Sequence, residues 1–204
     1  MEDYRRQFEV NVFGPIALTK AFLPHFHETG DSNTPPLVIF TSSGAAHFGL
    51  PLMSPYMASK SALDLFAESV SYELAATNII TKIVVPHGGI KSTNFAASSN
   101  AAPITILLST RTDLQKRYGA YVGKVFGVMG SMATESMPVT KPAEKIFEAA
   151  TDGTMKLRYF VAPEGGGANL AARMAGTRDG ENLDDADERY MEFMRSKFAA
   201  SSLL

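Results

Sequence analysis

The chain of 204 residues contains no cysteine, which excludes disulfide bonds and thiol chemistry and is compatible with a reducing compartment. It also lacks any apolar run near the roughly 18 residues that a membrane-spanning helix needs. The charged N-terminal segment MEDYRRQFEV has no apolar core of the kind found in signal peptides. These absences predict a protein without a membrane span and with a cytoplasmic location.

A strong charge imbalance is missing too. The formal net charge is -2 and basic residues do not cluster, so the composition gives no reason to expect nucleic acid as a partner. Hydrophobic residues make up 45% and charged residues 20%, a balance typical of a single soluble globular domain of residues 1–204. His25 and His27 lie close to Glu28, but no further ligand follows at helical spacing, so no metal site is predicted.

The segment that carries chemistry begins at the end of a predicted strand. Residues 37–40 are apolar and partly β-branched, which predicts a buried strand, and the small polar residues 41–44 end it. Ser43 is therefore expected at the carboxyl end of that strand. In open parallel α/β sheets this edge borders the ligand crevice, so a hydroxyl there faces a substrate.

A predicted helix follows, with Tyr56 and Lys60 one turn apart on the same face. A free tyrosine titrates at about 10, so it needs a nearby positive charge to exchange protons at neutral pH, and Lys60 is placed to supply that charge. Ser43 is placed to donate a hydrogen bond to a substrate carbonyl or alkoxide while Tyr56 passes the proton. The set fits carbonyl reduction or its reverse.

Each of these residues alone has an ordinary structural explanation. Ser43 fits a turn or an N-cap, Tyr56 an amphipathic boundary position, and Lys60 a solvated helix charge. The combination SSGAA…YMASK, with the serine thirteen positions before the tyrosine and the lysine four after it, resembles the short-chain dehydrogenase/reductase family. The resemblance covers most of residues 5–165.

The resemblance implies a role for each residue. Tyr56 corresponds to the acid/base, Ser43 to the residue that polarises the carbonyl, and Lys60 to the residue that contacts the cofactor ribose and the tyrosine. Asn11 in VNVFG is similar to the helix asparagine that supports a proton relay behind the lysine. Tyr56 and Lys60 thus also count as cofactor-binding residues.

A second segment, PHGGIKSTNF at residues 86–95, directly follows the β-branched run IITKIVV and is similar to the family's PGxxxT loop. The resemblance implies NAD or NADP as cofactor, with the nicotinamide lined by Pro86, Gly88, Gly89, Ile90 and Ser92 or Thr93. His87 separates the proline from the first glycine, which leaves the register of the loop open. For His87 itself we expect a loop position that faces solvent.

The order of strand, helix, strand and loop predicts an α/β fold with a doubly wound parallel sheet of the Rossmann type. A dinucleotide site in such a fold needs a glycine-rich turn between a first strand and helix, and the sequence has no such turn there. PEGGGAN at residues 163–169 comes after the last predicted strand, RYFVA at residues 158–162, and so lies in the wrong place for that turn. Compared with the family, we therefore expect the C-terminal catalytic half of an N-terminally truncated three-layer α/β/α fold.

Residues 96–137 take the place of the family's variable substrate lid. Met129, Met132 and Met137 favour a hydrophobic carbonyl or alcohol substrate, and packing of the lid onto the body explains them equally well. The helix predicted over residues 2–27 has apolar residues on more than one side. The resemblance implies a homodimer or homotetramer built through this helix and the helix of Tyr56.

Two hypotheses follow from different classes of protein. The first is an NAD(P)-dependent oxidoreductase that interconverts a carbonyl and an alcohol. The second is a catalytically inactive remnant or interaction module, because Ser43, Tyr56 and Lys60 cannot run the reaction without a hydride donor. Exposed sheet edges would then favour association with another chain. The choice between NAD and NADP, the substrate, the direction of reaction and the oligomer size stay open at this point.

Overall fold

A computed structural model of the chain describes residues 1–30, 34–91, 93, 110–133 and 136–163. These residues fall into two compact units. The first consists of Met1–His87 and Thr140–Ala162, and the second includes Gly88–Val139. The prediction of a single domain stays a prediction.

The first unit opens with a long helical segment whose geometry changes partway. Helix α1 spans Glu2–Phe8, a π-helical turn spans Glu9–Phe13, and α2 spans Gly14–Thr29. Pro15 falls in the first turn of α2, directly after the π-helical turn. The helix predicted over residues 2–27 is confirmed. Pro15 by itself predicts a kink or a late helix start, and the structure instead shows a change of helix type directly before Gly14-Pro15.

Three parallel strands form the sheet in the described part of the chain, in the order β1-β2-β3. They are β1 (Leu37–Thr41), β2 (Ile80–Pro86) and β3 (Arg158–Val161). Thr41, the last residue of β1, pairs with Val84 of β2. This register places the carboxyl ends of β1 and β2 side by side.

Helices cover both faces of this sheet. Ile83 and Val85 of β2 pack with Leu63 and Ala67 of α3, which spans Ser54–Ala75. Because side chains alternate along a strand, Lys82 points to the opposite face.

There Lys82 meets Asp152, directly after helix α5, which spans Thr140–Thr151. Helix α4, Thr112–Ala133, belongs to the second unit. The predicted α/β fold with a doubly wound parallel sheet is confirmed. None of the described helices is both long and apolar enough to cross a membrane.

The central strand β2 contains a buried charge that its apolar sequence does not suggest. Lys82 is 2% exposed, and its Nζ donates to Asp152 Oδ1 at 2.5 Å. The Tyr159 hydroxyl donates to the other carboxylate oxygen at 2.5 Å. Burial by itself lowers the pKa of Lys82, but Asp152 and Tyr159 outweigh it and the pKa is raised. A fully paired lysine can therefore occupy a core strand.

Several predicted segments lie wholly or partly outside the described residues. Residues 96–109 of the predicted lid are among them, as are residues 164–169 of the glycine-rich stretch. The peripheral C-terminal helix that Tyr190, Phe193 and Met194 predict also lies outside the described residues. Met137, at the described end of the lid segment, is buried.

Candidate active site

Ser43 lies just beyond the carboxyl end of β1. The backbone N–H of Ser42 donates to the carbonyl of Val84 at 2.8 Å, so sheet pairing reaches the residue before Ser43. Ser43 then caps a 3-10 turn over Gly44–Ala46, and its Oγ accepts a hydrogen bond from the Ala45 N–H at 3.2 Å. Because Oγ acts as an acceptor in the turn, the hydroxyl proton of Ser43 is available to another partner.

That partner is Tyr56, in the first turn of α3. Burial raises the pKa of Tyr56 above its ordinary value, and the hydrogen bond from the Ser43 side chain acts in the opposite direction. A phenol with a raised pKa is neutral at pH 7 and holds a proton that it can donate. This is the state that a general acid in carbonyl reduction needs.

Lys60 lies one turn further along α3. Its Nζ donates to the carbonyl oxygen of Thr41, the last residue of β1, at 3.0 Å. Burial lowers the pKa of Lys60. The contact fixes α3 against the end of β1 and brings Lys60, Tyr56 and Ser43 to one edge of the sheet. Stabilisation of the Tyr56 phenolate by Lys60 stays a prediction, because burial has the largest effect on the pKa of both groups.

Asn11 reaches this region from the π-helical turn. Its Nδ2 donates to Ser59 Oγ at 3.0 Å and to Gln7 Oε1 at 3.0 Å. Ser59 is fully buried and donates in turn to the carbonyl oxygen of Tyr56 at 2.7 Å. A chain of hydrogen bonds therefore links Asn11 to the backbone of Tyr56. Single π turns are often found at functional sites, and here the turn carries the predicted relay residue.

The predicted nicotinamide loop begins in the first unit and continues in the second. Pro86 ends β2 beside the end of β1, within the first unit. In the second unit, Gly88 and Gly89 have φ values of 83° and 86°, a left-handed conformation that favours glycine. Ile90 forms a parallel bridge with Met137.

The predicted nicotinamide loop continues with Ser92 and Thr93. Thr93 Oγ1 donates to the carbonyl of Ile90 at 3.4 Å. Ser92 lies outside the described residues.

The expectation that His87 faces solvent is corrected by the structure. The His87 ring is half-buried and stands edge-on to the ring of Phe48, with 5.2 Å between centroids. It also covers Gly44, so that a Cβ at Gly44 would collide with it. The backbone N–H of His87 donates to the carbonyl of Val161 at 2.8 Å. His87 therefore packs on the turn that Ser43 caps.

Ser59 and Asp64 are the site residues that sequence reasoning missed. Ser59 is the serine inside the YMASK motif, and its position in that motif could have identified it from the sequence. Asp64 lies one turn after Lys60 and accepts a hydrogen bond from Arg158 Nη2 at 2.6 Å. Asp64 and Arg158 are 94 positions apart, so no local sequence pattern reveals the pair. Among the described residues, no group of three or more His, Asp or Glu side chains is arranged to hold a metal ion.

Comparison with known proteins gives consistent matches. Residues 1–103 match the family model described as short chain dehydrogenase. The uncharacterized oxidoreductase YusZ of Bacillus subtilis is 34% identical over 171 residues, which are 83% of this chain and 56% of that protein. A short-chain dehydrogenase from Streptomyces avermitilis superimposes with a TM-score of 0.61 at 25% identity, covering 97% of this chain and 62% of that one.

A second solved structure, a short chain dehydrogenase from Burkholderia cenocepacia in complex with NADP, has a TM-score of 0.55 at 16% identity. That match covers 97% of this chain and 59% of the other and shows the shared fold. The chain spans little more than half the length of the curated relative from Bacillus subtilis. Since the family model matches half of the chain, the chain belongs to the short-chain dehydrogenase family.

Proposed function

We propose that the protein is an NAD(P)-dependent oxidoreductase that interconverts a carbonyl and an alcohol, with Tyr56 as the general acid/base. The observation that carries the proposal is the hydrogen bond between Ser43 and a neutral Tyr56 of raised pKa at the carboxyl edge of the sheet. Membership of the short-chain dehydrogenase family supports it. So do the relatives, one named as an oxidoreductase and one crystallised with NADP.

The residues of this chain transfer one proton and stabilise the negative charge that develops on the substrate oxygen. In the reductive direction, Tyr56 donates its phenolic proton to the substrate oxygen, and Ser43 donates a hydrogen bond to the same oxygen. When bound, the reduced nicotinamide supplies the hydride that the carbonyl carbon accepts. Lys60 interacts with the charge that forms on Tyr56. Asn11 supports the proton relay behind Lys60.

The residue types fit a nicotinamide cofactor, NAD or NADP. Lys60 is a cationic donor suited to ribose hydroxyl groups, and Tyr56 lies one turn before it. Gly88 and Gly89 hold this loop in a left-handed backbone conformation that favours glycine. We include Pro86 and Ile90 among the nicotinamide contacts, together with Ser92 and Thr93.

We further propose a hydrophobic small-molecule carbonyl or alcohol as substrate and a homodimer or homotetramer as the assembly. Exposed apolar residues support the assembly: Leu18 of α2 is 60% exposed, and Leu65 of α3 is 67% exposed. Sedimentation of the wild type against Leu65→Glu would test this part. A monomer for both proteins would contradict it.

The second candidate, a catalytically inactive interaction module, is favoured by the edge of the sheet. In the described residues β1 pairs with β2 on one side and with no strand on the other. An unpaired strand edge is a template for another chain. Under this hypothesis a folded sample binds neither NADH nor NADPH.

The proposed function is tested by cofactor binding and turnover on the same sample. Binding of NADH and NADPH is followed by calorimetry, and their oxidation by absorbance with a panel of aldehydes and ketones of increasing apolar size. The proposal predicts micromolar binding of one cofactor and turnover of at least one carbonyl class. A folded sample that binds neither cofactor would contradict it and support the interaction module.

A further inference from the structure

A buried ionic cluster lies directly beside the segment that carries Ser43. Asp64 of α3 is 4% exposed, and Arg158 donates to its Oδ2 from Nη2 at 2.6 Å and from Nε at 3.2 Å. The same Arg158 Nη2 donates to Glu68 Oε2 at 2.5 Å. One oxygen of the Asp64 carboxylate is thus fully engaged by the first residue of β3.

The other oxygen, Asp64 Oδ1, faces the loop after β1. His47 Nε2 lies 3.6 Å from it, beyond hydrogen-bond distance. The Ser42 hydroxyl is near the same carboxylate, and it too makes no hydrogen bond of ordinary geometry. Burial alone would raise the pKa of Asp64, but His47, Arg158 and Ser42 together lower it to about 2. The carboxylate therefore stays charged at neutral pH, next to two polar groups of the loop.

Those two groups stand on either side of Ser43. Ser42 directly precedes it, and His47 ends the 3-10 turn that Ser43 caps. Lys60, between Tyr56 and Asp64 on the same helix, holds the carbonyl of Thr41. Helix α3 thus contacts the strand end before Ser43 through Lys60 and the turn after Ser43 through Asp64. Its Tyr56 contacts the Ser43 hydroxyl itself.

We propose that Asp64 is a positioning residue that holds the Ser42–His47 segment so that the Ser43 hydroxyl stays directed at Tyr56. Arg158 orients the carboxylate from one side, and Asp64 holds the loop from the other. This inference rests on the proposed function, in which Ser43 and Tyr56 act together. The competing explanation is that the cluster only ties β3 to α3 and has no effect on Ser43.

The two explanations differ in what they predict for the ionisation of Tyr56. Loss of the negative charge of Asp64 would by itself favour the phenolate and lower the pKa of Tyr56. Loss of the hydrogen bond from Ser43 would raise it. A rise in the pKa of Tyr56 therefore indicates displacement of Ser43, and a fall indicates a direct charge effect. If the cluster is purely structural, the pKa of Tyr56 does not rise.

The experiment is a titration of Tyr56 in the full chain with 3-fluorotyrosine at its 7 tyrosine positions, followed by fluorine NMR. The Tyr56 signal is the one that Tyr56→Phe removes. Asp64→Asn is expected to raise the pKa of Tyr56 by about one pH unit, the size expected for losing one hydrogen bond to a charged oxygen. In a Ser43→Ala background it is expected to cause no rise.

Asp152→Asn is the matched control, because it removes the carboxylate of the ion pair with Lys82 on the other face of the sheet. It is expected to destabilise the fold without moving the Tyr56 titration. If Asp64→Asn does not fold, Ser42→Ala replaces it and is expected to give a smaller rise. An unchanged or lowered pKa of Tyr56, or an equal rise in the Ser43→Ala background, would overturn the proposal. The titration needs neither cofactor nor turnover, so its outcome is separate from that of the proposed function.

Discussion

The ammonium group of Lys60 lies 3.0 Å from the carbonyl oxygen of Thr41. This hydrogen bond joins the helix that carries Tyr56 to the strand end that precedes Ser43. Since both partners belong to the same compact unit, the position of the tyrosine relative to the serine is set within that unit. The contact also gives Lys60 a structural role beside the cofactor contact that we propose.

Replacing Lys60 by alanine should therefore weaken cofactor binding, turnover and stability together. We expect lower cofactor affinity and a fall in turnover of about 100-fold or more, since proton transfer by Tyr56 loses its supporting charge. The lost hydrogen bond should also cost about 1 kcal/mol of unfolding free energy. Lys141→Ala, an exposed lysine on α5, is the control and should leave all three values unchanged. Wild-type turnover in Lys60→Ala would rule out the proposed role.

Replacing Ser43 by alanine should lower the rate without unfolding the protein. The hydroxyl that polarises the substrate oxygen is lost, which we expect to reduce turnover by about 100-fold. The melting temperature should stay close to that of the wild type, and a melting curve beside the assay checks this. Ser71→Ala removes another hydroxyl of α3, one that donates to the Glu68 carbonyl, and should retain activity. A Ser43→Ala enzyme as fast as Ser71→Ala would contradict the account.

The pH dependence of reduction should follow the protonated form of Tyr56. Because burial raises the pKa of Tyr56, its acid form persists through neutral pH and is lost only above the ordinary tyrosine value of about 10. The reductive rate should therefore stay flat up to that pH, whereas the oxidative rate, which needs the base form, should climb throughout. A reductive rate that already falls between pH 6 and 8 (roughly the histidine range) would point to a different acid.

Asp64 should stabilise the fold in a pH-dependent way. Its pKa in the folded protein is about 2, below the unfolded value of about 3.9, so its contribution is complete above that unfolded value. The contribution is then lost as the pH falls toward 2. Asp64→Asn should reduce the unfolding free energy by about 2 kcal/mol at pH 7 and by less at pH 3.

Urea unfolding at both pH values measures this difference. Asp113→Asn, which breaks an exposed ion pair with Arg111, should change neither value measurably. Equal losses for Asp64→Asn at the two pH values would show that its charge is not the source of stability.

Local sequence patterns were enough to predict the main elements of the first unit. The apolar run at residues 37–40 became β1, and the spacing after Tyr56 became α3. Each of these signals acts over a few residues, through side-chain alternation or helical periodicity. The same signals placed Ser43 at a strand end and Lys60 one turn from Tyr56.

The features that sequence reasoning missed are contacts between distant parts of the chain. Asp64 and Arg158 are 94 positions apart, and Lys82 and Asp152 are 70 positions apart. A charged residue inside an apolar pattern shows that a partner is needed but not which residue supplies it. The half-buried position of His87 was missed for the same reason, since Gly44 and Phe48 reach it only once the strands are aligned.

The most direct test of the proposed chemistry is Tyr56→Phe, compared with wild type for both cofactor binding and carbonyl turnover. Tyr72→Phe is the matched control, since Tyr72 lies on the same helix and is 70% exposed. Loss of the phenolic hydroxyl removes the acid and leaves the ring, so we predict that turnover is abolished while cofactor affinity stays nearly intact. Retained turnover in Tyr56→Phe would contradict the assignment of Tyr56 as the acid/base.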